Sequence, residues 1–260
     1  MGPFEATAVP IASVAIAQGI SYFDFTTDAS VINRLHDELG GAAAARQLVL
    51  APATGFYGTL ADLMARASAP DIETADEVFI AYSVKGWKPT VGSINAMVQL
   101  AGRRGVRKDG RFEIASGLPQ FGAFRFPDPV GEVPVMLDYP APEVVMIPRY
   151  LATPNVRVVM TASTVKDLRD APPPGSVSDD ERAGTDFIIV TEVRTAGGVH
   201  RATLTGRDIY LITAPIVAEA VERVLAGRVH AHGMVAAGEA FDAKDMLQAL
   251  AAHGLTVSFN

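Results

Sequence analysis

The chain has 260 residues, 49% of them hydrophobic, which is enough apolar content for one large core or two modest ones and too much for a disordered protein. A formal charge of -7, with no local cluster of Lys and Arg, sets it against nucleic acid as a partner, and the lack of cysteine excludes disulfides, thiolate nucleophiles and cysteine-ligated metals. The opening Met-Gly-Pro-Phe-Glu-Ala has no secretory or myristoylation pattern and no apolar run nears the roughly 20 residues of a bilayer span, so a cytoplasmic protein without membrane contact is expected.

Pro10, Ile11, Val14 and Ile16, closed by Gly19, are spaced as a short helix with its proline in the first turn. Residues 20–25, β-branched and aromatic, predict a strand. Asp28 or Ser30 then caps a helix whose apolar face is Val31, Ile32, Leu35 and Leu39. Residues 47–51 predict a second buried strand, stopped by Pro52. Strand, crossover helix and strand make a βαβ unit with parallel strands. Two such strands are an incomplete layer, so more are expected from upstream or from a partner.

Farther on, residues 77–84 predict a strand, 90–102 a helix and 112–114 a short strand. Prolines 119, 127, 129, 134, 140, 142, 148 and 154 confine strands in that stretch to short or edge pieces, as suits an irregular substrate lobe. Residues 165–184, with Pro172-Pro173-Pro174-Gly175 and then Ser178-Asp179-Asp180-Glu181-Arg182, read as a polar, mobile excursion, either a lid or a linker. Residues 186–194 and 199–205 flank Gly197-Gly198 as an antiparallel hairpin. Thr213 caps a helix with Pro215 in its first turn and Val217, Val221, Val224 and Leu225 inward. A last helix, 242–253, precedes a terminal strand, 255–259.

None of the 23 glycines falls in a G-x-G-x-x-G or G-x-x-x-x-G-K-[ST] pattern, so the usual pyrophosphate cradle is missing. No G-x-S-x-G elbow occurs, and no Tyr is followed four positions later by Lys. His230 and His232 are half of a metal site at most, with no third ligand identifiable, and no metal is expected. Asp24 ends an apolar strand, where it either faces a crevice as a catalytic carboxylate or bonds loop amides. Gly55 and Gly58 either let backbone amides approach a ligand at a helix start or flank an ordinary cap. Lys85, Trp87, Thr90 and Ser93 offer a cation, hydroxyls and helix-start amides to a substrate carboxylate or phosphate, and a capped surface turn explains the same residues.

In their order and spacing these segments resemble the bacterial saccharopine dehydrogenase-like reductases, a family that includes trans-acting enoyl reductases. Met1-Gly2-Pro3-Phe4 is similar to the family's A-G-P-[FY] turn after the fourth Rossmann strand, and Tyr22-Phe23-Asp24-Phe25-Thr26-Thr27-Asp28 to its Y-x-D-L-T-G-E segment. Pro52-Ala53-Thr54-Gly55-Phe56-Tyr57-Gly58, with Asp62 beyond, is similar to P-x-x-G-F-D-S and a downstream Asp, and residues 235–255 resemble the family's tail. Thr27 replaces a glycine, Tyr57 stands where the family has Asp, and the family's first strands with their glycine-rich turn are not in this sequence.

The resemblance implies an α/β fold: a truncated Rossmann-type parallel sheet from 1–75 and 207–260, and a mixed, largely antiparallel α+β lobe from 76–206 for substrate or dimerisation. It implies an NAD(P) oxidoreductase that passes hydride between NAD(P)H and a small unsaturated or imine-like substrate. Gly2, Pro3, Phe4, Thr26, Gly55 and Phe56 are placed beside the nicotinamide half, and free NAD(P) is expected to bind weakly without the glycine-rich half. The family assigns no acid or base, and Asp24 and Tyr57 are the catalytic candidates. The alternatives are a non-redox cyclase, isomerase or ligand-binding accessory protein in the same crevice, or a homodimer or other assembly that covers the open sheet edge.

Overall fold

The computed structural model describes residues 3–100, 103–115, 117–171 and 177–260. Gly2 and the segment Pro172-Pro173-Pro174-Gly175 lie outside the described residues. The first helix, α1 (Phe4–Ala17), starts directly after Pro3, so Pro10 sits inside it rather than in its first turn. A proline there forfeits one backbone bond; Ala8, Ala12 and Ile16, buried on one side, hold the helix together across it.

The βαβ unit follows as the residues predict. Strand β1 (Tyr22–Phe23) leads to α2 (Ala29–Leu35), capped by the Asp28 carboxylate, which accepts from the Ser30 amide at 2.8 Å. A π turn over His36–Gly40 carries the chain into α3 (Gly41–Ala45) and then β2 (Val49–Ala51), parallel to β1. Val31, Ile32 and Leu35 are buried. Helix α4 (Phe56–Ser68) comes next.

After it run β3 (Glu77–Lys85), α5 (Val91–Leu100), β4 (Arg104–Lys108), β5 (Arg111–Ala115), β6 (Phe121–Arg125) and β7 (Glu132–Met136). Then come α6 (Glu143–Met146), a 3-10 turn (Ile147–Arg149), β8 (Asn155–Thr161), α7 (Ala162–Arg169), α8 (Asp179–Ala183), β9 (Asp186–Thr195) and β10 (Gly198–Arg207). The chain closes with α9 (Thr213–Leu225), β11 (Gly233–Met234), α10 (Ala237–Ala240), α11 (Ala243–Ala251) and β12 (Thr256–Phe259).

These strands make two sheets. The smaller is parallel, in the order β1-β2-β11, with β1 at its edge and no further neighbour among the described residues. The larger runs β12-β10-β9-β3-β8-β4-β5, with the β6-β7 hairpin joined to β8 through β7. Its β3 and β8 are parallel and its other pairs antiparallel. The fold is thus α/β, with a small parallel sheet beside a mixed, largely antiparallel one. Helix α4 packs against β9, β10, α6, α9, α10 and α11, so the main core is continuous between the sheets. On the other face of the large sheet, Phe79, Val135, Val159 and Val190 form a second core under Phe124, Val133 and Leu137 of the hairpin region.

Four sequence expectations are corrected. Strand β12 pairs with β10, so the stretch 207–260 does not belong wholly to the parallel lobe. Ser178-Asp179-Asp180-Glu181-Arg182 is not a bare excursion: Ser178 caps α8 through a capping box with Glu181. Ile212, not Thr213, is the cap residue of α9. That helix also turns a different face inward: Ile216, Ala220 and Arg223 are buried while Leu225 is 82% exposed. The buried Arg223 is held by Glu219 and by Asp245 at 2.7 Å, so an ionic contact takes the place that apolar spacing assigned to valines.

Candidate functional site

The carboxyl ends of the parallel strands meet the large sheet at one turn, residues 53–58. Ala53 takes a positive φ of 56°, and Thr54 Oγ1 donates to Ala51 O at 2.6 Å. Phe56 packs edge-on against Tyr57 and Phe187, at 4.9 and 4.8 Å between ring centroids. Tyr57 is extended and Gly58 has φ of 90°, so the regular part of α4 begins only after them. This break turns the Gly58 amide toward α6, where it donates to Glu143 Oε1 at 2.8 Å.

Glu143 is fully buried. Its Oε1 also accepts from the hydroxyl of Tyr82, a fully buried residue of β3, whereas Oε2 has no partner among the described residues. Burial is the chief cause that pushes the Glu143 carboxyl above the usual range, with the Tyr82 and Gly58 bonds pulling the other way. The Tyr57 ring lies 5.0 Å from that of Tyr82, 6.2 Å from Trp87 and 6.3 Å from Tyr139. Its hydroxyl is buried and shares a weak hydrogen bond with the Tyr139 hydroxyl. Burial first, then Tyr139 through its charge and hydrogen bond, and Tyr210 and Glu143, raises the Tyr57 phenol well above its ordinary value; burial moves Tyr139 to about 12 against the lowering effect of the bond to Tyr57. The result is a buried cluster of weak acids, each shifted upward by burial, in which Glu143 Oε2 has no partner among the described residues.

Three of the predicted substrate residues come together beside these acids. Trp87 Nε1 donates to the Tyr210 hydroxyl oxygen at 2.9 Å, the Thr90 amide does so at 3.1 Å, and Ser93 Oγ shares a bond with it at 2.8 Å. These groups therefore fasten the loop after β3 to the segment before α9. Lys85 ends β3 with its side chain exposed and is not drawn into the cluster.

The remaining predicted residues are more dispersed. Asp24 is buried, and its carboxylate accepts from Tyr22 Oη at 2.8 Å, the Thr26 amide at 2.8 Å and the Ala53 amide at 3.2 Å. It ties the end of β1 to the end of β2. Thr26 is buried on that link, and Gly55 lies against Phe25 and Thr213, where a Cβ would come within 3.3 and 3.5 Å. Pro3 is exposed and Phe4 partly buried against the core at the start of α1; among the described residues no hydrogen bond joins either to the 53–58 turn. Gly2 lies outside the described residues. His230 and His232 are not buried, and no group of three metal-ligating side chains occurs among the described residues. No described helix is long and apolar enough to cross a membrane.

Sequence reading missed Glu143, Tyr82, Tyr139 and Tyr210. The available signal was local: Tyr82 interrupts the apolar run of β3, and Glu143 is a lone carboxylate between Pro142 and Val144-Val145-Met146. Such isolated polar groups in apolar runs need a buried partner.

No protein-family model matches the sequence, and no curated protein matches it. Among solved structures the chain is similar to saccharopine dehydrogenase (L-Glu forming) from Saccharomyces cerevisiae, at a TM-score of 0.55 and 10% identity, covering 100% of this chain and 84% of that one. It is also similar to an amine dehydrogenase from Mycobacterium smegmatis, at a TM-score of 0.39 and 11% identity, covering 90% and 72%. The first likeness is one of fold: the small parallel sheet beside the larger mixed one is a Rossmann-like arrangement.

Proposed function

We propose that the chain is an NAD(P)H-dependent oxidoreductase acting on a small unsaturated or imine-like substrate, with the reacting atoms held between the 53–58 turn and the Trp87 loop. The observation that carries this reading is the half-satisfied carboxyl at the carboxyl ends of the strands: Glu143, buried beside Tyr57 and Tyr82, has one oxygen with no partner among the described residues. Ligands of open α/β sheets sit at that edge. The likeness of fold to a dehydrogenase supports the same class.

The residues fit the reacting end of a nicotinamide cofactor and not its pyrophosphate. Thr26, Gly55 and Phe56 line the carboxyl edge of the small sheet, while no glycine-rich cradle exists in the sequence. When bound, the cofactor supplies hydride. Reduction of a C=C or C=N bond then also needs a proton, and Tyr57 is the donor that faces the loop. Burial raises both the Tyr82 phenol and the Glu143 carboxyl behind it, so each holds its proton more tightly than when exposed. The rings of Trp87 and Tyr139 cover Tyr57, so the loop at residues 86–93 moves to admit substrate and closes to exclude water.

Trp87 is the one tryptophan and stands inside this site, which makes its fluorescence a reporter. Titration with NADH and with reduced nicotinamide mononucleotide is expected to quench it saturably, with similar affinity because the pyrophosphate and adenosine contribute few contacts. Glu143→Gln keeps an acceptor for Gly58 and Tyr82, so it is expected to bind equally and to lower turnover by about 100-fold or more. Absence of saturable quenching with both ligands would exclude the redox reading.

A further inference from the structure

Away from the crevice, the carboxyl-terminal half of α4 and the 3-10 turn after α6 border a cleft of about 640 Å³, lined among others by Arg66, Asp71, Glu73, Arg149 and Tyr150. That volume is in the range of small-molecule sites. It is a separate place: Arg66 is eight residues along α4 from Gly58, about 12 Å at the helical rise.

Two guanidinium groups in this cleft have no carboxylate partner among the described residues. Arg66 donates from Nε to Gly238 O at 3.2 Å and stacks 4.3 Å from the centre of the Tyr150 ring, and its other bonds, at 3.5 Å, go to the carbonyls of Pro70 and Tyr150. Arg149 reaches Asn33 Oδ1, at 3.4 Å, and its Nε is buried with no described group to accept from it. Burial lowers Arg149 to about 10 against the raising effect of Glu239 and Asp37, which act on it without contact. Nε itself is out of reach of solvent, so the terminal N–H groups of Arg149, which lines the cleft, and those of Arg66 are what a carboxylate or phosphate there would meet.

Asp71 and Glu73 decide between the two. Both are exposed in the same cleft, so its lining carries two cations and two anions. A multiply charged phosphate would gain from the arginines and lose to the acids. We propose that this cleft binds a zwitterion of amino-acid or dipeptide size, its carboxylate on Arg149 and Arg66 and its ammonium toward Asp71 and Glu73.

Calorimetric titration of the purified chain with glycylglycine, acetate and inorganic phosphate tests this. Glycylglycine is expected to bind most tightly, Arg149→Gln to abolish that binding, and the exposed double substitution Asp71→Asn with Glu73→Gln to weaken it about tenfold while strengthening phosphate. Three results would overturn the proposal: no binding of glycylglycine by the unaltered chain, tighter binding of phosphate than of glycylglycine, or unchanged glycylglycine affinity in the double variant. The surface position of Asp71 and Glu73 keeps the last comparison meaningful if Arg149→Gln fails to fold.

Discussion

Asp62 and Glu143 are both fully buried carboxyls in contact with a tyrosine, yet they differ in what is left over. Asp62 is spoken for at both oxygens: Oδ1 accepts from Tyr150 Oη at 2.5 Å and Oδ2 from the Gly238 amide at 2.8 Å, which pins α4 to α10. Glu143 has one oxygen held twice and one held by no described group. The first pattern is a fastening and the second an invitation to chemistry. Burial, outweighing those two bonds, raises Asp62 to about 7 from the 3.8 at which it ionises when exposed. The folded state therefore holds its proton more tightly than the unfolded one. Its contribution to stability is full below pH 3.8, falls as the pH rises and is gone above about 7. Asp62→Asn cannot ionise, so in urea unfolding its stability relative to the unaltered chain should rise between about pH 4 and 7 and then level off. Parallel curves across that range would contradict the assignment.

At the scale of elements, the start of α4 is the least replaceable piece of backbone. Gly58 has φ of 90°, and a Cβ there would lie 2.6 Å from both Cβ and O of Ala53. Gly86 has φ of 68° but open space around it. Gly58→Ala should therefore cost about 3 kcal/mol or more, from strain and overlap together, while Gly86→Ala costs about 1 kcal/mol from conformation alone. Chemical denaturation of the two variants separates these terms; equal losses would mean that the turn relaxes around the added methyl. Periodicity made the βαβ unit legible because Val31, Ile32 and Leu35 meet a single core. It failed at α1 and α9, where packing of Ala8, Ala12 and Ile16 overrides a proline and where Arg223 is buried by virtue of Glu219 and Asp245. The pairing of β12 with β10 was illegible for another reason: alternation identifies a strand but says nothing about its neighbour.

Across the whole molecule, short motifs located the 53–58 turn and the Trp87 loop in the sequence, and folding sets them on the same wall. Their counterparts, Tyr82, Tyr139, Glu143 and Tyr210, lie between 24 and 152 residues beyond Gly58 along the chain and carry no shared local pattern. Only the two-sheet arrangement joins them, through β3, α6 and the segment before α9. The central claim is that nicotinamide binds at this junction. Hydrogen–deuterium exchange with and without reduced nicotinamide mononucleotide tests it directly. Slowed exchange at residues 53–59 and 86–93 is the predicted result. Protection confined to the Arg66 and Arg149 cleft, or no protection anywhere, would contradict it.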